Sequence, residues 1–134
     1  ITRVSARYKN LETSFEDRCQ RIVLGDSTRL AQVFENLFSN AVKYAPNTKI
    51  EISIDEMDKS SIQIIFSDNG KGIPQEHLPF IFDRFYRVPN QPGKAGTGLG
   101  LFICKRIITT HHGNMWAESE AQKGTRFIIQ LPSQ

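Results

Sequence analysis

Two period-two runs constrain this chain more than any other feature. Ile50, Ile52 and Ile54 alternate with Glu51, Ser53 and Asp55, and after a polar turn Ile62, Ile64 and Phe66 recur at the same spacing. Successive strand side chains point to opposite faces, so the two runs predict a hairpin with one apolar face and one wet face. The apolar face needs a cover. Upstream, Leu30, Val33, Phe34, Leu37, Phe38 and Ala41 recur at spacings of three and four, the pattern of a helix with a core-facing arc. Asp26 or Ser27 can cap it through a side-chain acceptor, and Ala45-Pro46-Asn47 stops it.

Around this centre, residues 11–15 and 21–24 read as short strands. A second helix from about Leu99 buries Leu99, Phe102, Ile103 and Ile107 and ends at Gly113, and strands near 114–119 and 125–131 close the chain. The expected fold is α+β, a two-layer sandwich over residues 1–134. Its mixed sheet of about five strands is covered on one face by about three helices. The length of 134 residues suits one domain. No repeat or linker divides it.

Composition excludes little else. Charged residues at 23% and hydrophobic ones at 39% argue against disorder. A net charge of +3 suits an anionic ligand but is no nucleic-acid signature. Cys19 and Cys104 have no zinc spacing near them and read as reduced thiols of a cytosolic domain. No apolar run is long enough to span a bilayer. The chain begins at Ile1 rather than Met, as expected of a piece of a longer protein, from which a membrane anchor could have been cut away.

Four stretches carry candidate chemistry. On the first helix, Asn36, Asn40 and Lys43 lie within roughly 60° of one another at 100° per residue, with Tyr44 at the edge of the stripe. Amide oxygens suit a hard cation such as Mg²⁺ and an ammonium suits phosphate; a solvated polar stripe is the plainer alternative. In FSDNGKGIP, Asp68 follows an apolar strand and could accept from an exocyclic amine, while Gly70 and Gly72 let the backbone approach a flat ligand. A common strand-closing turn has the same composition. In GTGLGLFICK, Gly96, Gly98 and Gly100 alternate where a helix begins, so free N–H groups could meet phosphate; a flexible hinge is the alternative. It is neither a dinucleotide fingerprint nor a P-loop. Between them FIFDRFYRVP interleaves Phe82, Phe85 and Tyr86 with Arg84 and Arg87. In its loop context that mixture fits an aromatic-anchored lid with arginines at phosphate better than nucleic-acid binding. The loop-like stretch from Asp68 to Gly98 holds five of nine glycines and four of six prolines, a composition usual for functional segments. His77, His111 and His112 lack metal-ligand spacing and read as structural or solvent residues.

Taken in order, these motifs resemble the ATP-binding catalytic domain of sensor histidine kinases, in the superfamily shared with gyrase and mismatch-repair ATPases. NLFSNAVKY resembles the N box, DNGKGI the G1 box, FDRFYR the F box and GTGLGL the G2 box; KGTRFIIQLP resembles the final glycine-threonine strand. The resemblance covers residue 20 onward. It implies ATP and Mg²⁺ as cofactors, with Asn36 holding the metal, Asn40 and Lys43 at the phosphates and Tyr44 lining the site. Asp68 would accept from the adenine amine, supported by Thr125, and Gly70, Gly72 and Ile73 would flank the base. Gly96, Thr97, Gly98, Leu99, Gly100 and Leu101 would lie along the phosphates, below a lid of about residues 86–97. Arg84 or Arg87 would approach the γ-phosphate. Asn36, Lys43, Arg84 and Arg87 form the implied catalytic set.

The family's phosphoacceptor histidine sits in a separate helical dimerisation domain, and none of the three histidines here has its sequence context. The resemblance therefore implies phosphotransfer to a histidine on that other domain, with a response regulator downstream and no direct contact with nucleic acid or membrane. In hydrolysing relatives a glutamate stands at the place of Asn36; here an amide cannot act as base, and Glu35 is rotated about 100° away. Two other readings fit the same fold: a serine-directed anti-sigma-type kinase, and a nucleotide-responsive interaction module without phosphotransfer.

Overall fold

The structure, a computed structural model, describes residues 12–17, 23, 25–44, 49–86 and 99–133. Strand β1 (Glu12–Asp17) precedes helix α1 (Ser27–Tyr44), the hairpin β2 (Lys49–Asp58) and β3 (Ser61–Asp68), a 3-10 turn (Leu78–Phe80), helix α2 (Gly100–Thr110), and the hairpin β4 (Asn114–Glu120) and β5 (Gly124–Pro132). The sheet runs β1-β2-β3-β5-β4, with β1 parallel to β2 and all other pairs antiparallel. It is the mixed five-stranded sheet that the alternation implied. Two α-helices and the 3-10 turn stand among the described residues, against about three helices expected. Of the strand expected at 21–24, only Val23 is described, and it is not in a strand.

Register explains the core. One row of the sheet places Ile52, Phe66, Phe127 and Ala117 side by side, and the next places Ile54, Ile64, Ile129 and Met115. These rows share the face that packs on Val33, Leu37 and Phe38 of α1 and Cys104, Ile107 and Ile108 of α2. Phe38 meets Phe66 edge-on with ring centroids 5.0 Å apart, a favoured aromatic geometry. The opposite face is wet at the row Glu51, Ser67, Arg126 and Glu118, where Arg126 and Glu118 pair at 3.5 Å. One apolar cross-strand set, Ile65, Ile128 and Trp116, interrupts it, and neighbours along the row bring Ile128 to 3% exposure.

The helices lie antiparallel. Asp26 caps α1, its carboxylate accepting from the N–H groups of Thr28 and Arg29 at 3.0 and 3.2 Å. At the end of α2, His111 Nδ1 donates to the Ile107 carbonyl at 2.8 Å while its Nε2 accepts from the Asp26 N–H at 3.0 Å. The histidine thus ties the end of one helix to the start of the other. No helix among the described residues is long and apolar enough to cross a membrane.

Candidate functional site

At one end of the core face the apolar rows give way to a polar one: Ile50, Asp68, Thr125 and Ser119 stand side by side. They project to the side that carries the core, because two-residue periodicity keeps them in phase with Phe66, Phe127 and Ala117. Polar groups at core parity need hydrogen-bond partners or a ligand.

Asp68 accepts from the Gly70 N–H at 2.9 Å, and the Thr125 N–H also faces the carboxylate. Burial nevertheless dominates and raises its pKa above the ordinary 3.8, the two backbone donors only opposing that shift. The following loop is held from below. Gly72 takes φ 80°, open to glycine, and a Cβ there would strike the Glu120 carbonyl. Ile73 N–H donates to Ser119 Oγ at 2.6 Å, and Gln75 donates from its amide to the Ser119 carbonyl. Across the hairpin turn, Gly124 at φ 103° lets β5 press against the Asp68 backbone. Asn69, the second residue of DNG, turns away to accept from Lys49 N–H at 2.8 Å and so pins the start of β2.

Ser119 was not among the residues singled out from sequence. Its signal is parity: it follows Met115 and Ala117 on the core-facing side of β4, where a polar residue stands out. Its Oγ gathers Ile73 N–H, the Gly124 carbonyl at 3.0 Å and Thr125 Oγ1 at 3.0 Å. Thr125, at 5% exposure, is the buried polar residue of the core.

The helix stripe is described only in part. Asn36 lies where α1 meets the start of α2, its Nδ2 donating to the Gly100 carbonyl at 3.3 Å. That bond leaves the amide oxygen as the group a hard cation would take, so the residue fits a Mg²⁺ ligand. Asn40 is one turn further on and half-buried; Lys43 and Tyr44 follow on the helix, with side chains outside what is described. No side chain caps the N-terminus of α2 at Leu99, and a Cβ on Gly100 would meet nothing within 4 Å among the described residues. Packing among the described residues therefore gives no reason for glycine there. Leu101 packs against the core. Arg87, Gly96, Thr97 and Gly98, and with them lid residues 87–97, lie outside the described residues.

In the aromatic segment Phe82 and Tyr86 pack against neighbours and Phe85 does not. Phe82 sits edge-on to Phe127 at 6.3 Å and beneath the Lys105 ammonium at 4.9 Å. Arg84 stacks over the Phe102 ring of α2 at 4.8 Å, and Phe85 adopts φ 66° with 64% exposure, a strained backbone for a bulky side chain. Tyr86, the first lid residue, bonds its hydroxyl to His77 Nδ1 at 2.5 Å. Cys104, buried beside Asn36, has its thiol pushed up to about 12 by burial, so it is an inert packing group.

Residues 25–134 match the family described as histidine kinase-, DNA gyrase B- and HSP90-like ATPase. Sensor protein SrrB of Staphylococcus aureus (strain MRSA252) is 46% identical over 125 residues; the match takes in 91% of this chain and 21% of that protein, so the chain spans about a fifth of its curated relative. Mycobacterial sensor histidine kinase MprB superposes with a TM-score of 0.88 at 28% identity, covering 99% of this chain and 90% of the other. Histidine kinase ThkA, solved in complex with response regulator protein TrrA, gives a TM-score of 0.75 at 29% identity over 99% of this chain and 39% of that one. With the family match, the curated relative and the solved fold all in agreement, the chain belongs to the histidine kinase-, gyrase B- and HSP90-like ATPases, as an ATP-binding catalytic domain of the sensor histidine kinase type.

Proposed function

We propose that this domain binds Mg-ATP and donates its γ-phosphate to a histidine on a separate helical dimerisation domain, from which a response regulator is then served. The observation that carries the reading is the polar row: Asp68 and Thr125 stand side by side at the end of the core face, while Asn36 meets the start of α2. An adenine amine fits the first and phosphates fit the second. Asn36 would hold Mg²⁺ through its amide oxygen, and the ion would supply charge neutralisation at the phosphates. Asn40 and Lys43 would orient those phosphates, with Arg84 or Arg87 completing the contacts.

In the transfer the bond between the γ-phosphorus and the β–γ bridging oxygen breaks, an imidazole nitrogen of the acceptor forms the new P–N bond, and ADP leaves with the electron pair. The acceptor is assigned to the other domain because none of His77, His111 and His112 has the family's phosphoacceptor sequence context. An amide at position 36 cannot take a proton from water, so bound ATP is spared from hydrolysis until the acceptor arrives. A missing general base lowers a rate by about 10²–10⁴.

Mixing the domain with its native dimerisation domain and γ-labelled ATP tests the reading. Acid-labile, base-stable label on the dimerisation domain, with slow phosphate release by the isolated domain, is the expected result. Label appearing only on serine would favour the anti-sigma-type alternative, and nucleotide binding without any transfer the interaction module.

A further inference from the structure

Ser119 Oγ has one proton and two lone pairs. Its proton goes to the Gly124 carbonyl at 3.0 Å, and one lone pair accepts from Ile73 N–H at 2.6 Å. Thr125 Oγ1 is 3.0 Å away, and the arrangement that satisfies all three contacts at once makes Thr125 the donor of that pair. The single hydroxyl proton of Thr125, a residue 5% exposed, is thereby turned along the row toward Ser119. What Thr125 has left is lone pairs. Asp68, its neighbour across β3 and β5, presents a carboxylate whose oxygens are acceptors when ionised.

We propose that Ser119 is a positioning residue for base selection. By fixing the direction of the Thr125 proton, it makes the wall of the base site accept hydrogen bonds only, and so admits a purine carrying a 6-amino group while disfavouring one carrying a 6-oxo group. The proposal rests on the nucleotide reading above. An amine brings donors to two acceptors. A carbonyl oxygen sets lone pairs against lone pairs, and a site built from oriented polar groups rejects such a mismatch far more strongly than an apolar pocket does. Removing Ser119 frees the Thr125 hydroxyl to rotate and donate to the 6-oxo group, which relaxes the choice.

Titration of the whole domain with ADP and with inosine diphosphate tests this, the readout being the ratio of the two dissociation constants. The wild-type domain is expected to favour ADP by at least about tenfold, and Ser119→Ala to lower that preference about five- to tenfold. Ser119→Thr, which keeps the hydroxyl, should restore it. A strut holding the Ile73 loop would behave differently: Ser119→Ala would weaken both nucleotides by one factor and leave the ratio unchanged, which overturns the proposal. Should Ser119→Ala not fold, Ser119→Cys replaces the hydroxyl with a weak donor and acceptor of similar shape and must lower the ratio in the same direction. Equal wild-type affinity for the two nucleotides would refute the role of Ser119 while leaving nucleotide binding intact. Wild-type binding of neither would refute the nucleotide reading itself.

Discussion

The two ends of this sandwich share β3 and β5 and differ in what those strands present. At the end formed by the first turns of α1, the start of β3 and the close of β5, the described side chains that line about 100 Å³ of interior space are all apolar, among them Leu30, Phe34, Ile62 and Leu131. Backbone polar groups there are answered within the chain, as His111 answers Asp26. At the other end the same sheet face carries Asp68, Thr125 and Ser119, close to where β3 runs into the Gly70 loop. At one end the described lining is apolar; at the other, Asp68, Thr125 and Ser119 gather on the core side of the sheet. Burying polar groups costs stability unless they are paired, so a fold retains them at core parity where a ligand makes the pairing worthwhile.

If that division is right, mutations at the two ends should separate stability from binding. The largest effect belongs to the apolar end. Ile129→Ala, at a position 1% exposed, should cost about 2–5 kcal/mol of stability. Chemical denaturation would show it, while the folded fraction keeps its ADP affinity.

Asp68→Asn should do the reverse, losing about 1–3 kcal/mol of nucleotide affinity, roughly ten- to a hundredfold, as a donor faces the adenine amine. Calorimetric titration would read that loss. The melting temperature should hold or rise, because the cost of burying a charge is removed.

The raised Asp68 pKa sharpens the contrast further. Because the folded value lies above the ordinary 3.8, the folded state holds its proton more tightly than the unfolded one. Protonation of Asp68 therefore favours the fold, and that contribution fades as pH rises from the ordinary value through the raised one. Binding runs the other way, since only the ionised carboxylate accepts from the amine. ADP affinity should thus fall with acidification toward the raised pKa, and the part of the fall due to Asp68 should vanish in Asp68→Asn.

The smallest effect is expected at the helix clamp. His111→Ala removes the acceptor of Asp26 N–H at a partly exposed site and should cost about 1 kcal/mol, with no change in ADP affinity. A loss of nucleotide binding in this variant would mean that the two ends are coupled through α1 and α2.

Much of this molecule was legible before any coordinates, for a local reason. Alternation in β2 and β3, the three-four spacing of α1 and the Asp26 cap depend on neighbours a few residues away, so the chain states them directly. Asp68 and the helix stripe stood out as candidates because polar residues beside apolar periodic runs mark themselves, Thr125 entered only through the family resemblance, and the order of the four boxes made that resemblance specific. Pairings between distant segments were not readable. Register alone places Asp68 between Ile50 and Thr125 and brings Ser119 to Thr125 and Ile73, and helix packing alone joins Asn36 to Gly100 and His111 to Asp26. A period reports which face a side chain takes. Which partner waits on that face is set by the strand register and helix packing that bury the whole core together.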